Sequence, residues 1–183
     1  MEFRYMPPVA KFIKEIQSGT IGDLKMFSIR EHRFPFLIKV NDWNRFSKNT
    51  GGTLVEKCCH FFDLMRLVTN SEAVSVYASG AQDVNHLNEQ YNGRKPDIID
   101  NAFVIVNFEN GIRSVLDLCM FSENSRLQEE LCAVGNIGKI ETGVPSFLSG
   151  KSSSELSIGL RKSKNIQIED IEAVSYTHLR AHE

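Results

Sequence analysis

Residues 102–108 and 112–120 alternate in polarity, and Glu109-Asn110-Gly111 separates them; this pair of runs constrains the fold more than any other stretch. Alternation sends successive side chains to opposite faces of a strand, and Asn-Gly supplies the backbone freedom of a tight hairpin turn. Both faces are apolar. Val104, Val106 and Phe108 oppose Phe103 and Ile105, while Leu116 and Leu118 oppose Val115 and Cys119. One face is therefore expected to pack on helices and the other to meet a second subunit or a further domain, because an open apolar face of that size is poorly suited to water.

Other strands are expected at 24–31, after the turn Thr20-Ile21-Gly22-Asp23, and at 73–80, with Val74, Val76 and Ala78 on one face. Two more follow at 127–134 and 139–141, joined by Gly135-Asn136-Ile137-Gly138. Pro7-Pro8 opens an amphipathic helix in which Val9, Phe12, Ile13 and Ile16 recur at helical spacing, and Ser18-Gly19 ends it. Residues 32–50 carry no clear period and are expected to be an irregular loop serving a site, and 83–97 a polar loop. Helices followed by strands in this order predict an α+β fold, an open and mainly antiparallel sheet with helices packed on one face.

The 183 residues, 42% hydrophobic and 24% charged, suit one globular domain. Residues 1–142 carry the clear pattern and 143–173 a weaker continuation, with a strand expected at 155–161 and a strand or frayed helix at 166–174. Residues 149–154 resemble a linker. Gly150-Lys151-Ser152 is not a phosphate loop, since Pro145 occupies the required glycine position. Residues 174–183 resemble a translated sequencing adapter, so His178 and His182 are set aside. A net charge of -2 and the lack of a basic run argue against nucleic acid. No apolar stretch approaches the roughly 20 residues of a membrane span and no signal peptide pattern opens the chain, so a cytoplasmic protein is expected. The four cysteines are expected as reduced thiols.

Functional chemistry concentrates in residues 51–68, expected to be one buried helix behind Gly51-Gly52, with Thr53 capping its first amides. At about 100° per residue, Glu56, His60 and Asp63 fall on one face within an arc of roughly 60°. Leu54, Cys58, Phe61, Leu64, Met65 and Val68 fill another face. A titratable stripe on an apolar helix calls for a second polar wall, a ligand or water, because unpartnered burial costs several kcal/mol. Lys57 points about 100° away from Glu56 and so leaves the stripe.

The order of elements resembles the C-terminal substrate domain of the Gfo/Idh/MocA family of NAD(P)-dependent oxidoreductases over residues 3–142. Arg4-Tyr5-Met6-Pro7, the 18–22 turn, Trp43, the 51–63 run, Phe108-Glu109-Asn110-Gly111 and 134–138 carry the likeness. In that family the domain follows a Rossmann domain, and the Gly-Gly helix sets an Asp and a His four residues apart beside nicotinamide and substrate. The resemblance implies Glu56 at the Asp position, His60 at the His position and Asp63 at the Asp that follows. Glu for Asp keeps the charge and lengthens its reach; Cys58 stands where many members have glycine. Neither Gly-x-Gly-x-x-Gly nor the family's Glu-Lys-Pro segment occurs, so the chain is expected to be a fragment lacking coding sequence at both ends and inactive alone, with NAD or NADP bound mainly by the absent domain.

The implied reaction is dehydrogenation of a sugar, inositol or related polyol. His60 is the expected general acid/base and Glu56 its orienting carboxylate. Asp63, Arg4, Trp43 and Arg45 are the candidate substrate contacts. No residue is assigned to a metal: Glu56, His60 and Asp63 have suitable ligand chemistry, yet no second ligand cluster accompanies them. A homo-oligomer formed through the open sheet face is expected, and a non-catalytic assembly domain using that face is the alternative.

Overall fold

The computed structural model describes residues 2–145 and 153–172. In chain order it contains α1 (Pro7–Gln17), β1 (Leu24–His32), α2 (Ser47–Thr50), α3 (Thr53–Glu56), α4 (Cys59–Thr69), β2 (Ala73–Ala81), β3 (Asn101–Phe108), β4 (Arg113–Cys119), β5 (Leu127–Gly135), β6 (Gly138–Pro145), β7 (Ser153–Leu160) and β8 (Gln167–Glu172). The strands form one sheet in the order β2-β3-β4-β1-β5-β6-β7-β8. All neighbours are antiparallel except β1 and β4, so the mainly antiparallel α+β architecture is as the alternation implies. The β3–β4 turn closes where expected: Gly111 takes φ 81, and the Gly111 amide donates to Phe108 O at 2.9 Å.

Parity decides what each strand buries. Phe27 and Ile29 on β1, Val104 and Val106 on β3, Leu116 and Leu118 on β4, and Leu131 and Ala133 on β5 all face the helices and are buried. Helix α1 lies over β6, β7 and β8, while α4 lies over β1. Their apolar faces, Val9, Phe12, Ile13 and Ile16 on α1 and Phe61, Leu64, Met65 and Val68 on α4, join that same core. Tyr77, Phe103 and Ile105 point the other way and stay 68%, 62% and 46% exposed. Val74 and Val76 share the inner parity yet remain exposed, since β2 is an edge strand lying beyond the helices.

Several expectations are corrected. Residues 51–68 are not one helix: α3 ends at Glu56, Lys57 and Cys58 form a turn, and α4 begins at Cys59. Thr53 does not cap a helix; Gly52 is the N-cap residue, and the Thr53 hydroxyl donates instead to the carbonyl of Ile99. The strand expected at 139–141 runs from Gly138 to Pro145, because β7 pairs along its outer edge and extends it. Ser153 and Ser154, grouped with a linker, open β7, and the strand-or-helix stretch at 166–174 contains strand β8. Residues 32–50 hold two 3-10 turns joined through Asn41 and Asp42, then α2. Gly150-Lys151-Ser152 and the tail at 174–183 lie outside the described residues. Among the described residues, no helix is long and apolar enough to cross a membrane.

Asp100 organises the loop between β2 and β3. It is buried and accepts from the amides of Asp83, Val84 and Asn85 and from Asn101 Nδ2, at 2.7 to 3.2 Å. Burial pushes its carboxyl up, but these donors outweigh burial and hold it below the ordinary carboxylate value. A depressed folded-state value gives stability that is present above the unfolded pKa of about 3.9 and lost as pH falls through the folded value. Asp100→Ala is expected to cost about 2 kcal/mol at neutral pH. Hydrogen exchange should show the amides of 83–85 opening first; unchanged exchange there would contradict this role.

Candidate functional site

Topology gathers the loops at one end of the sheet. Strands β1, β2 and β4 all finish there, sending out residues 33–46, 82–100 and 120–126, and α3 and α4 meet at the same end. Hydrogen bonds lace these segments together. Asp97 accepts from the Ser47 amide at 2.6 Å and its own amide donates to Arg45 O at 3.1 Å, while Asn85 Nδ2 donates to Met120 O at 2.7 Å.

The Gly-Gly pair shapes the helix approach. Gly51 and Gly52 both have positive φ, 78 and 84, and a Cβ at Gly51 would sit 2.9 Å from Val55 Cβ. After α3, the amides of Lys57 and Cys58 both turn to Thr53 O, at 2.9 and 3.4 Å, so the last turn widens. The amides of Phe61 and Phe62 then restart the helix from Cys58 O, at 2.9 and 3.1 Å. Glu56 therefore closes one short helix, and His60 is the second residue of the next. Both are half-buried, with Glu56 Oε2 and His60 Nδ1 withdrawn from solvent.

The remaining candidates separate into two groups. Asp63, one turn beyond His60, forms a two-pronged ion pair with the Nε and Nη2 of Arg4, which ties the N-terminal 3-10 turn to α4. The hydrogen bonds from Arg4 hold the Asp63 carboxyl below its ordinary value. Asp63 and Arg4 are thus engaged with each other. Trp43 is partly exposed, with Lys39 Nζ 5.8 Å from its ring centroid, and Asn49 Nδ2 donates to its carbonyl at 2.8 Å. Arg45 is turned inward, only 2% exposed, and its Nε lies 3.0 Å from Glu89 Oε2. Glu89 also accepts from Tyr91 at 2.7 Å and faces His86 Nδ1 at 2.8 Å, so Arg45 anchors the 82–100 loop. Burial pushes the Glu89 carboxyl up; the His86 and Tyr91 contacts outweigh it and leave the value lowered.

One charged cluster has no counterpart in the sequence-based expectations. Glu31 and Glu129 are directly paired across β1 and β5, 0% and 3% exposed, in an inner row that otherwise reads Ala102, Leu118 and Val144. Lys57 Nζ reaches Glu31 Oε1 at 3.0 Å and Arg33 Nη1 reaches it at 3.4 Å. The signal was present in parity: Glu31 follows Phe27 and Ile29, and Glu129 precedes Leu131 and Ala133, at steps of two. The four cysteines carry free thiols, and burial pushes that of Cys58 up, so it stays protonated. Among the described residues, no three His, Cys, Asp or Glu side chains are grouped to hold a metal ion.

A depression of about 670 Å³ lies on the outer sheet face, where Arg30, Asp117, Glu130 and Phe103 line it; neither Glu56 nor His60 does.

Comparison with known proteins places the fold. The sequence model of an oxidoreductase family, described as the C-terminal alpha/beta domain, matches residues 13–178. The uncharacterized oxidoreductase YrbE of Bacillus subtilis (strain 168) is 29% identical over 114 residues, 62% of this chain and 30% of that protein. Among solved structures, a levoglucosan dehydrogenase in complex with NADH and levoglucosan superposes with a TM-score of 0.71 at 16% identity, covering 93% of this chain and 45% of that one. A putative myo-inositol dehydrogenase from Sinorhizobium meliloti 1021 gives a TM-score of 0.58 at 24% identity, covering 75% and 39%. At these identities the two structures show a shared fold. The chain spans less than half the length of each of the three.

Proposed function

Since this chain belongs to the Gfo/Idh/MocA oxidoreductase family, as its C-terminal alpha/beta domain, we propose that it is the substrate-handling part of an NAD(P)-dependent dehydrogenase acting on a sugar, inositol or related polyol. One observation carries the reading. A carboxylate and an imidazole, Glu56 and His60, flank a helix break at the loop end of the sheet, each with a polar atom withdrawn from solvent. That donor set fits a carbinol hydroxyl. A levoglucosan dehydrogenase bound to levoglucosan and a putative myo-inositol dehydrogenase, both of this fold, support the polyol class.

In this reading His60 removes the hydroxyl proton of the substrate as its carbon is oxidised, and Glu56 orients the ring and stabilises its charged form. NAD or NADP, held mainly by a separate nucleotide-binding domain, supplies the hydride acceptor when bound. Trp43 offers an apolar wall at the loop rim, while Asp63, Arg4 and Arg45 act by holding the surrounding segments in place. Turnover belongs to the protein in which this domain meets a nucleotide-binding domain. Such a protein, given NAD or NADP and a panel of cyclic polyols and aldoses, should form reduced nicotinamide with at least one of them. Absence of reduction across the panel, with both nucleotides bound, defeats the reading.

A second role rests on Tyr77, Phe103 and Ile105, which stand exposed together on the outer face. We assign this face to association of two copies. Light scattering should give a dimer or larger assembly, and Phe103→Glu should return it to the monomer.

A further inference from the structure

We propose that Lys57, Glu31 and Glu129 form a positioning network that holds the α3–α4 break, and with it the relative placement of Glu56 and His60. The functional weight of this inference rests on the acid/base reading above; its geometry does not.

A lysine in the middle of a buried helical stretch would normally run out to solvent. Here the break turns Lys57 down onto the sheet, where its ammonium meets a fully buried carboxylate 26 residues earlier in the chain, at 3.0 Å. That carboxylate sits in direct cross-strand register with Glu129, and like charges directly opposite repel. Each glutamate also has a second oxygen, Oε2, that is buried with no hydrogen-bond partner among the described residues. Glu31 Oε1 is satisfied by Lys57 and Arg33, and Glu129 Oε1 by Gln128 Nε2 at 2.7 Å. Buried acceptors without partners in a dry row favour the neutral form, and protonation of Glu129 makes its carboxyl a donor and leaves the single Glu31 charge opposite two cations.

Burial and then the Glu31 charge push the Glu129 carboxyl up to about 7, against the lowering pull of Lys57 and Arg33. The groups facing it are Glu31 on β1, Arg33 just beyond, Gln128 on its own strand and Lys57 at the break. Cys58, packed beside them, remains an uncharged thiol. Deprotonation of Glu129 above neutrality places two carboxylates under Lys57 and pulls on the turn that separates Glu56 from His60. Backbone hydrogen bonds contribute as well, since the amides of Lys57 and Cys58 share one acceptor, Thr53 O. The network is therefore built into the bend itself.

The test uses the 183-residue chain, isotopically labelled, in a His60→Gln background so that the imidazole cannot be the source of any change. Amide shifts of residues 57–59 are followed from pH 5 to 9. The expected result is one inflection near pH 7 that Glu129→Gln abolishes and Lys57→Arg retains. Lys57→Met should move it upward by about one pH unit or more, because a cation that favours the carboxylate is gone. Amides that do not respond to pH, or an inflection that survives Glu129→Gln, overturn the network. Should Lys57→Met fail to fold, the Glu129→Gln arm decides.

In the polyol assay, with native His60, Lys57→Met should lower kcat about tenfold or more with KM nearly unchanged, as displaced catalytic groups do. Lys57→Arg should restore most of it. If Lys57→Met turns over normally while His60→Gln does not, the positioning role falls and the acid/base assignment stands. If His60→Gln is itself fully active, the acid/base assignment falls, and the pH response of residues 57–59 alone judges the network.

Discussion

Replacing His60 with glutamine is expected to lower kcat for polyol oxidation by about 10² to 10⁴, the usual span for loss of a general base. Glutamine retains a polar end of similar reach, so KM should change little, and a loss confined to kcat marks an interaction made in the transition state. The pH profile offers an independent check. A base must be neutral to accept the hydroxyl proton, so activity of the native protein should climb as the imidazole deprotonates. In the variant that ascending limb should disappear. Glu56→Gln should give a smaller loss, because an orienting group acts through the ring it holds. Equal KM and kcat in native and His60→Gln proteins would remove the chemistry from the assignment.

Phe61→Ala is expected to destabilise the fold by about 3 to 5 kcal/mol, which for a chain of this length lowers Tm by roughly 10 °C. Phe61 is 1% exposed, and its ring stands edge-on to Phe3, with centroids 5.2 Å apart and planes at 89°. The truncation empties space that Phe3, Cys58 and Leu64 cannot refill without moving α4. Urea unfolding should show a lower midpoint at unchanged slope, the signature of altered stability with the same exposed surface. A loss below about 1 kcal/mol would mean that the cavity collapses. Because Phe61 immediately follows His60, the same variant should also broaden the His60 ring signals.

Much of the architecture was legible where a pattern is local. The β3–β4 hairpin, β1 and α1 follow from alternation, a glycine turn and helical spacing, each written within a few neighbouring residues. The helix break at 57–58 was not legible, because nothing adjacent in sequence demands it. Its partner is Glu31, on a strand laid between β4 and β5, and no periodicity announces that β1 belongs there. Thr53 illustrates the same competition: capping is its local preference, and a carbonyl at Ile99, 46 residues on, wins its hydroxyl.

For the site, spacing put Glu56, His60 and Asp63 on one face of a single helix, and the break at 57–58 interrupts that stepping: Glu56 ends α3, while His60 and Asp63 lie on α4. It does not say what stands opposite. Asp63 meets Arg4 from a segment 59 residues away, and Arg45 meets Glu89 from one 44 away. Such encounters depend on the order of strands in the sheet. The Glu31 and Glu129 pair was visible as two charges at inward parity, but only their register across β1 and β5 turns two oddities into one cluster.

The single parallel pairing has a kinetic consequence. Strands β2 to β4, and likewise β5 to β8, are chains of neighbours that can zip from turns as soon as they are made. Strand β1, though synthesised first, must wait for two flanks that emerge some 80 to 110 residues later, and closing such distant ends is slow. Nascent chains should therefore hold two half-sheets with unsealed inner margins until β1 slots between them. Because Glu31 is carried on that last-arriving strand, a charged centre is assembled only when the whole sheet has been completed.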